Sequence, residues 1–291
     1  MFKLSVFTDE ISQDFERAVL VAQEYHLNGV EVRSAWDKPP HGLETHDIRE
    51  MRELLRGTKL QVCSIASPFY KCDIDSPEER AQHLEILRKC CVLADAFNCQ
   101  IIRGFTFWRK KPLEEYWERA VDGFQEPLKI LEKHGKVLAI ENEASTMIGT
   151  GKRLARFLTE INSPRIGSIW DPANCIYDAD EPEVPFPNGY NAIKDHMVHM
   201  HLKDAVRDPK TGEPTCVPIG EGAVDFRGQF RALVADGYEG FVSLETHWRP
   251  SALSEEQLNR PGGASFSKEG EYASRVCLDN LFAILKELGL K

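Results

Sequence analysis

Eight strand-like runs alternate with eight helix-like runs along the chain, and few folds accept that pattern. KLSVFT precedes DFERAVLVAQEY, GVEVRSA precedes HDIREMRELLRG, QVCSIASP precedes PEERAQHLEILRKCCVLADAF, and CQIIRGFTF precedes EEYWERAVDGFQEPLKILEKH, read as one helix. In the second half KVLAIENE leads to GKRLARFLTEI, IGSIWDPA to the shorter NAIKDH, VHMHLKD to DFRGQFRALVADG, and GFVSLETH to YASRVCLDNLFAILKELG. Runs rich in Val, Ile and Leu suit parallel strands covered on both faces. Eight such units in 291 residues predict one (β/α)8 TIM barrel over residues 1–291. A doubly wound open sheet is the runner-up, but it seldom needs eight strands in unbroken alternation.

A parallel barrel gathers the carboxyl ends of its strands at one mouth, where chemistry is done. Four polar residues occupy that position one βα unit apart: Glu141 in IENE, Asp171 in WDPAN, His201 in HMHLKD and Glu245 in SLET. A charge there is costly unless it is paired or metal-bound. Three carboxylates and an imidazole make a cage for a divalent ion, so a metal-dependent enzyme is expected. The structural alternatives are a salt bridge for Glu141 and a helix cap or Asx-turn for Asp171. His199 and His201 are two apart and share a strand face. His201 lies nearer the mouth and is the expected ligand, with His199 as a hydrogen-bonded core histidine. His247 should face the cavity, unless it is a loop histidine packed on Trp248.

Net charge −10 and a pI near 5.5 remove the general attraction to phosphate backbones, so nucleic acid is not an expected partner. MFKLSVFTDE turns acidic too soon for a secretory signal and reads as a first strand. No run is apolar enough for a membrane span. The eight cysteines lack a CxxC pair and read as reduced, buried thiols, which places the chain in the cytoplasm.

IENE, WDPAN, the H-x-K-D element (His201, Lys203, Asp204), the GEG loop (Gly220, Glu221, Gly222) and the final S-L-E give the chain a more specific likeness. It resembles the sugar phosphate isomerase/epimerase family with the xylose-isomerase-like barrel, over essentially its full length. In the ketose epimerases of that family the corresponding Glu, Asp, His and Glu bind Mn2+ or a similar ion, and both glutamates move protons. The resemblance therefore implies Glu141, Asp171, His201 and Glu245 as metal ligands and Glu141 and Glu245 as catalytic acid/base groups. Mn2+ is the expected ion, with Mg2+, Co2+ and Zn2+ as alternatives. Many relatives carry D-x-x-H where this chain has Asp171-Pro172-Ala173-Asn174, and Asn174 can hydrogen-bond a hydroxyl but cannot shuttle a proton.

Earlier strand ends supply an expected substrate wall. Arg33, Ser67, Lys71, Arg103 and Trp108 join Asn174, Lys203 and His247, because guanidinium and ammonium groups suit anionic oxygens and aromatic rings stack on sugar faces. For Lys71 and Arg109, surface ion pairing is the simpler reading. The Pro- and Gly-rich stretches after the sixth, seventh and eighth strands are candidates for a lid. The expected reaction is isomerisation or epimerisation of a small sugar or hydroxy-ketone through an enediolate. A lyase of the inosose dehydratase or C-glycoside-cleaving kind and a non-catalytic sugar-binding barrel are the rivals, and a homo-oligomer is compatible with either.

Overall fold

The strands are β1 (Lys3–Phe7), β2 (Gly29–Val32), β3 (Gln61–Phe69), β4 (Ile101–Gly104), β5 (Val137–Glu141), β6 (Ile166–Trp170), β7 (Met197–Leu202), β8 (Asp204–Arg207), β9 (Pro214–Val217) and β10 (Phe241–Leu244). In the computed structural model, which describes residues 1–251, 253–254, 256–257 and 261–291, eight of them close a parallel barrel in the order β1-β10-β7-β6-β5-β4-β3-β2. The expected (β/α)8 barrel is therefore the fold. Closure comes from β1, which pairs in parallel with β2 on one side and with β10 on the other. That pairing brings the first and last strand ends to one mouth.

Local chemistry sets the helix ends. Asp14 Oδ1 accepts from Glu16 N at 3.0 Å, Ser76 Oγ from Glu79 N at 3.2 Å, and Asp225 Oδ1 from Gly228 N at 2.8 Å, each satisfying an otherwise unpaired amide in a first turn. Gly135 closes the helix Gln125–His134 at φ 65°, where a side chain would be strained.

The helix expected over EEYWERAVDGFQEPLKILEKH is in fact two, Leu113–Asp122 and Gln125–His134. Pro127 has no N–H to give to the Gly123 carbonyl four residues earlier, so the chain restarts with Pro127 in a first turn. The freed Gly123 carbonyl accepts from Tyr70 Oη at 2.8 Å, and the break drives Phe124 into a buried cluster with Phe69, Tyr70 and Phe157. Between β6 and β7 there are only short helical turns, Asn174–Tyr177, Pro185–Gly189, Tyr190–Ile193 and Lys194–His196.

The stretch after β7, read as a loop, instead forms an antiparallel hairpin of β8 and β9. Asp204 anchors it: Oδ2 accepts from Gly220 N and Gly222 N at 2.9 Å each, and Oδ1 from Ala205 N at 2.9 Å and Val224 N at 3.2 Å. A Cβ at Gly222 would collide with the Asp204 carboxylate, which gives the Asp of H-x-K-D and the GEG loop a common structural cause. Part of the stretch 250–268, the third lid candidate, lies outside the described residues. All eight cysteines are free thiols and all but Cys216 are buried. Among the described residues no helix is long and apolar enough to cross a membrane.

Candidate metal centre

Glu141 ends β5, Asp171 follows β6, His201 lies near the end of β7 and Glu245 follows β10. All four are buried, and each offers one donor atom within 4.8 Å of the others. His201 Nδ1 is 3.2 Å from Glu141 Oε1 and 3.7 Å from Glu245 Oε2. Asp171 Oδ1 caps the following turn, accepting from Ala173 N at 2.9 Å and Asn174 N at 3.4 Å, so the capping alternative is also realised.

Asp171 Oδ2 is buried and accepts no well-directed hydrogen bond, although Lys203 Nζ stands 2.9 Å away. A carboxylate oxygen left in that state beside two more carboxylates and an imidazole fits a divalent cation, and a donor set of oxygen and one nitrogen suits a hard or borderline ion. His201 is oriented from behind. Its Nε2 lies 3.4 Å from Glu31 Oε1, while the other Glu31 oxygen meets His199 Nε2 at 2.8 Å. A carboxylate on the far ring nitrogen fixes the tautomer and leaves Nδ1 for an ion. His199 is buried and also reaches Ser243 Oγ at 3.1 Å, as a hydrogen-bonded core histidine should.

Burial disfavours a charge on His201, but Glu31 and Glu141 outweigh it and hold the imidazole up at about 10. Burial, reinforced by Glu141 and Glu245 and opposed by Lys203, pushes Asp171 up to about 7. Glu141 goes the other way: burial and Glu245 disfavour its charge, yet His201 and Arg103 bring it down to about 2.

An ion must displace the His201 proton, and that competitor weakens as pH climbs toward 10. Apparent affinity for a divalent ion should therefore rise roughly tenfold per pH unit from neutral upward, with at least about one proton released per ion bound. Calorimetry in buffers of different ionisation enthalpy measures both quantities. The ion should also raise the melting temperature, since it binds only the folded chain. A pH-independent affinity, or no ion retained at all, would remove the four-ligand centre.

The remaining expected residues ring this centre. Arg33, 4 % exposed, sends Nε to Asp9 Oδ2 at 2.9 Å, one terminal nitrogen to Glu10 Oε1 at 2.8 Å and the other to Glu245 Oε1 at 2.9 Å. Arg103 reaches Glu141 Oε2 at 3.2 Å and lies over the Phe105 ring at 4.9 Å. Lys71 sits 3.5 Å from Glu143 Oε2 and over the rings of Phe105 and Trp108, at 4.4 Å and 5.9 Å. Lys71 is thus ion-paired, but in the interior rather than on the surface. Asn174 Nδ2 donates to Glu141 Oε1 at 3.3 Å and Asn142 O at 2.7 Å. His247 Nδ1 stands 3.0 Å from Glu10 Oε1. The expected wall residue Ser67 is placed otherwise: its buried hydroxyl accepts from Phe69 N at 3.0 Å and lies against Cys90 of the helix Pro77–Ala96, while its neighbours Ala66 and Pro68, on the other face of the strand, line the cavity. Arg109 is held by Asp178 at 2.6 Å and Asp180 at 2.8 Å, an ion pair on the rim.

Sequence reasoning passed over Asp9, Glu10, Glu143 and Arg249. Asp9 and Glu10 follow β1 directly in VFTDE, the same strand-end position that marked the other four, so the signal was available. Arg249 Nη2 meets Glu10 Oε2 at 2.9 Å, a contact across most of the chain for which no local pattern exists.

A family model described as Xylose isomerase-like TIM barrel matches residues 19–269. An inosose dehydratase from Geobacillus thermodenitrificans (strain NG80-2) is 25% identical over 70% of this chain and 76% of that protein. An L-ribulose-5-phosphate 3-epimerase, UlaE, from Escherichia coli (strain K12 / DH10B) is 27% identical over 66% of this chain and 65% of its own length, just under two thirds. Among solved structures, the IOLI protein, which carries a zinc atom, superposes with a TM-score of 0.73 at 17% identity, covering 98% of this chain and 99% of that one. At that identity the likeness is one of fold.

Proposed function

The chain belongs to the xylose isomerase-like TIM barrel family, and on that premise we propose that it is a metal-dependent isomerase or epimerase of a small keto-sugar or hydroxy-ketone. The observation that carries the reading is the pair Glu141 and Glu245. Both belong to the one cluster of four donors, yet they come from separate strands, with Arg103 between them at 3.2 Å from Glu141 and 3.6 Å from Glu245 and Arg33 reaching Glu245 alone of the two. Two carboxylates on different sides of a bound substrate are what proton transfer between two faces, or between two carbons, requires.

A divalent ion held by Glu141, Asp171, His201 and Glu245, Mn2+ in our reading, supplies Lewis acidity toward adjacent substrate oxygens. One glutamate takes the proton from the carbon beside the carbonyl. The other returns a proton to the opposite face for epimerisation, or to the neighbouring position for isomerisation. Lys203, buried between Asp171 at 2.9 Å and Glu245 at 3.5 Å, donates to the oxygen on which negative charge grows. Asn174 orients Glu141 through the bond to Oε1. The hairpin of β8 and β9 contributes Pro214 and Cys216 to the wall of the cavity that reaches Lys203, which helps exclude water from the reacting carbons.

The relative named as a 3-epimerase supports this reading, and the inosose dehydratase supports a second. In the second, the same proton abstraction is followed by loss of a leaving group from the adjacent carbon. Metal-loaded protein incubated in deuterated water with a panel of ketoses and cyclic polyol ketones, followed by NMR, separates the two. Loss of the α-hydrogen signal with appearance of a stereoisomer or positional isomer is expected. Loss of water from the carbon skeleton would select the second reading, and no exchange with any ketone would end both.

A further inference from the structure

Resting on the isomerase or epimerase reading, we infer that Glu10 is a positioning residue, which holds His247 in a strained turn so that its Nε2 accepts a hydrogen bond from a hydroxyl of the substrate. His247 has φ 40°, in the left-handed region, and is the middle residue of a three-residue turn closed by Trp248 N donating to Thr246 O. Gly, Asn and Asp visit that region readily, and an imidazole-bearing residue does so only under constraint. Strain of this kind persists where the surroundings enforce it, and it gathers at functional sites.

Glu10 enforces it. Its Oε2 accepts from His247 N at 3.3 Å and its Oε1 stands 3.0 Å from His247 Nδ1, so one carboxylate grips backbone and ring together. The carboxylate is itself fixed, with Arg33 at 2.8 Å from Oε1 and Arg249 at 2.9 Å from Oε2. Phe266 packs edge-on against the imidazole at 5.5 Å. Glu10 is fully buried, and His247 is 6 % exposed. None of these contacts uses a carboxylate assigned to the ion, so they stand when Glu245 turns to the metal. Glu10, Glu245 and His247 lie close enough together to pass for a second ion site. Both Glu10 oxygens already meet guanidinium groups, however, and two such cations would repel a divalent ion.

Of the two ring nitrogens, Nδ1 is buried on the Glu10 side, which leaves Nε2 to the cavity of about 480 Å3 that His247 lines with Glu143, Asn174, Tyr177 and Lys203. With the proton on Nδ1, toward the carboxylate, Nε2 of the neutral ring carries the lone pair and accepts. Lys203, on the same wall, can only donate. The two side chains therefore read different substrate oxygens: Lys203 one on which negative charge grows, His247 a hydroxyl that keeps its proton.

The test uses the full chain loaded with Mn2+ and the ketone of the panel that exchanges its α-hydrogen fastest with deuterated water. His247→Asn suits the left-handed backbone and still offers Nδ2 to Glu10, but has nothing in place of Nε2. It should melt within about 2 °C of the native chain, bind Mn2+ with native affinity in calorimetry, and lose about ten- to a hundredfold in kcat/KM. His247→Gly should melt above His247→Ala, since glycine takes that backbone without strain. Glu10→Gln, assayed well below its melting temperature, should cost a similar factor in the native background and less than about threefold in the His247→Asn background. A residue that acts through another loses its effect once that one is gone. If Glu10→Gln does not fold, Glu10→Asp replaces it, keeping the charge for both arginines but ending one methylene short of the ring. Native kcat/KM in His247→Asn, equal melting of the Gly and Ala variants, or fully additive losses in the double variant each overturn the inference while leaving the proposed reaction standing. Loss of Mn2+ from His247→Asn would make His247 a ligand and overturn it too. No exchange by the native chain with any ketone overturns both.

Discussion

Replacing Glu141 or Glu245 by Gln is expected to lower kcat/KM by about a thousandfold or more, the scale on which a positioned acid or base contributes. Gln preserves size and can still accept the hydrogen bond that Asn174 Nδ2 gives to Glu141 Oε1. It cannot take a proton. The two variants should differ in a second readout: the one that lacks only the reprotonating glutamate still exchanges the substrate α-hydrogen with deuterated water. Because both residues are also expected ligands, metal content is measured alongside, and Asp171→Asn serves as the comparison. Asp171→Asn should act through weaker metal affinity, with activity partly restored at high metal concentration. Turnover near the native rate in either Gln variant would place the bases elsewhere, with His247 and Lys203 the next pair to examine.

Loss of Arg33 should bring the largest fall in stability. Its guanidinium holds Asp9, Glu10 and Glu245 within 2.9 Å, between the rings of Phe7 at 4.8 Å and Phe266 at 4.7 Å. Removing one partner of a buried ion pair costs about 3–5 kcal/mol, because a buried charge is left uncompensated. Arg33→Ala should therefore melt on the order of 10 °C lower than the native chain. Arg33→Lys should recover only part of this, since an ammonium cannot reproduce three divergent guanidinium contacts.

The pH dependence follows from the sign of the change. Arg33 favours the charged form of all three carboxylates, above all Asp9, which burial already holds above its ordinary value; without the guanidinium the folded chain binds more protons than the native one, so the cost of the substitution grows as pH rises. The gap between Arg33→Ala and the native chain should thus be narrower at pH 5 than at pH 8. A variant melting within a degree or two of the native chain at both pH values would show that the network contributes little.

The barrel was legible because its signal is local and repeated eight times: apolar strand, turn, amphipathic helix. The four converging donors were legible for a related reason, since a parallel barrel sends every strand end to one mouth whatever the side chains are. Alternation put His199 and His201 on one strand face and their position along the strand ranked them by depth, and the structure adds the Glu31 carboxylate bridging both rings. The helix break at Pro127 was local too, but the helical periodicity on either side of it masked the missing amide.

Tertiary structure alone decided how the charges are shared. Arg33 to Glu245 and Glu10 to Arg249 join residues more than two hundred positions apart, brought together only when β1 closes on β10. No periodicity encodes a contact of that range. Sequence therefore determined that this chain forms a barrel with a carboxylate-rich mouth, because strand-end position and residue type suffice for that. Which cations answer which carboxylates depended on barrel closure, because electrostatic pairing in a buried site is set by distance in space.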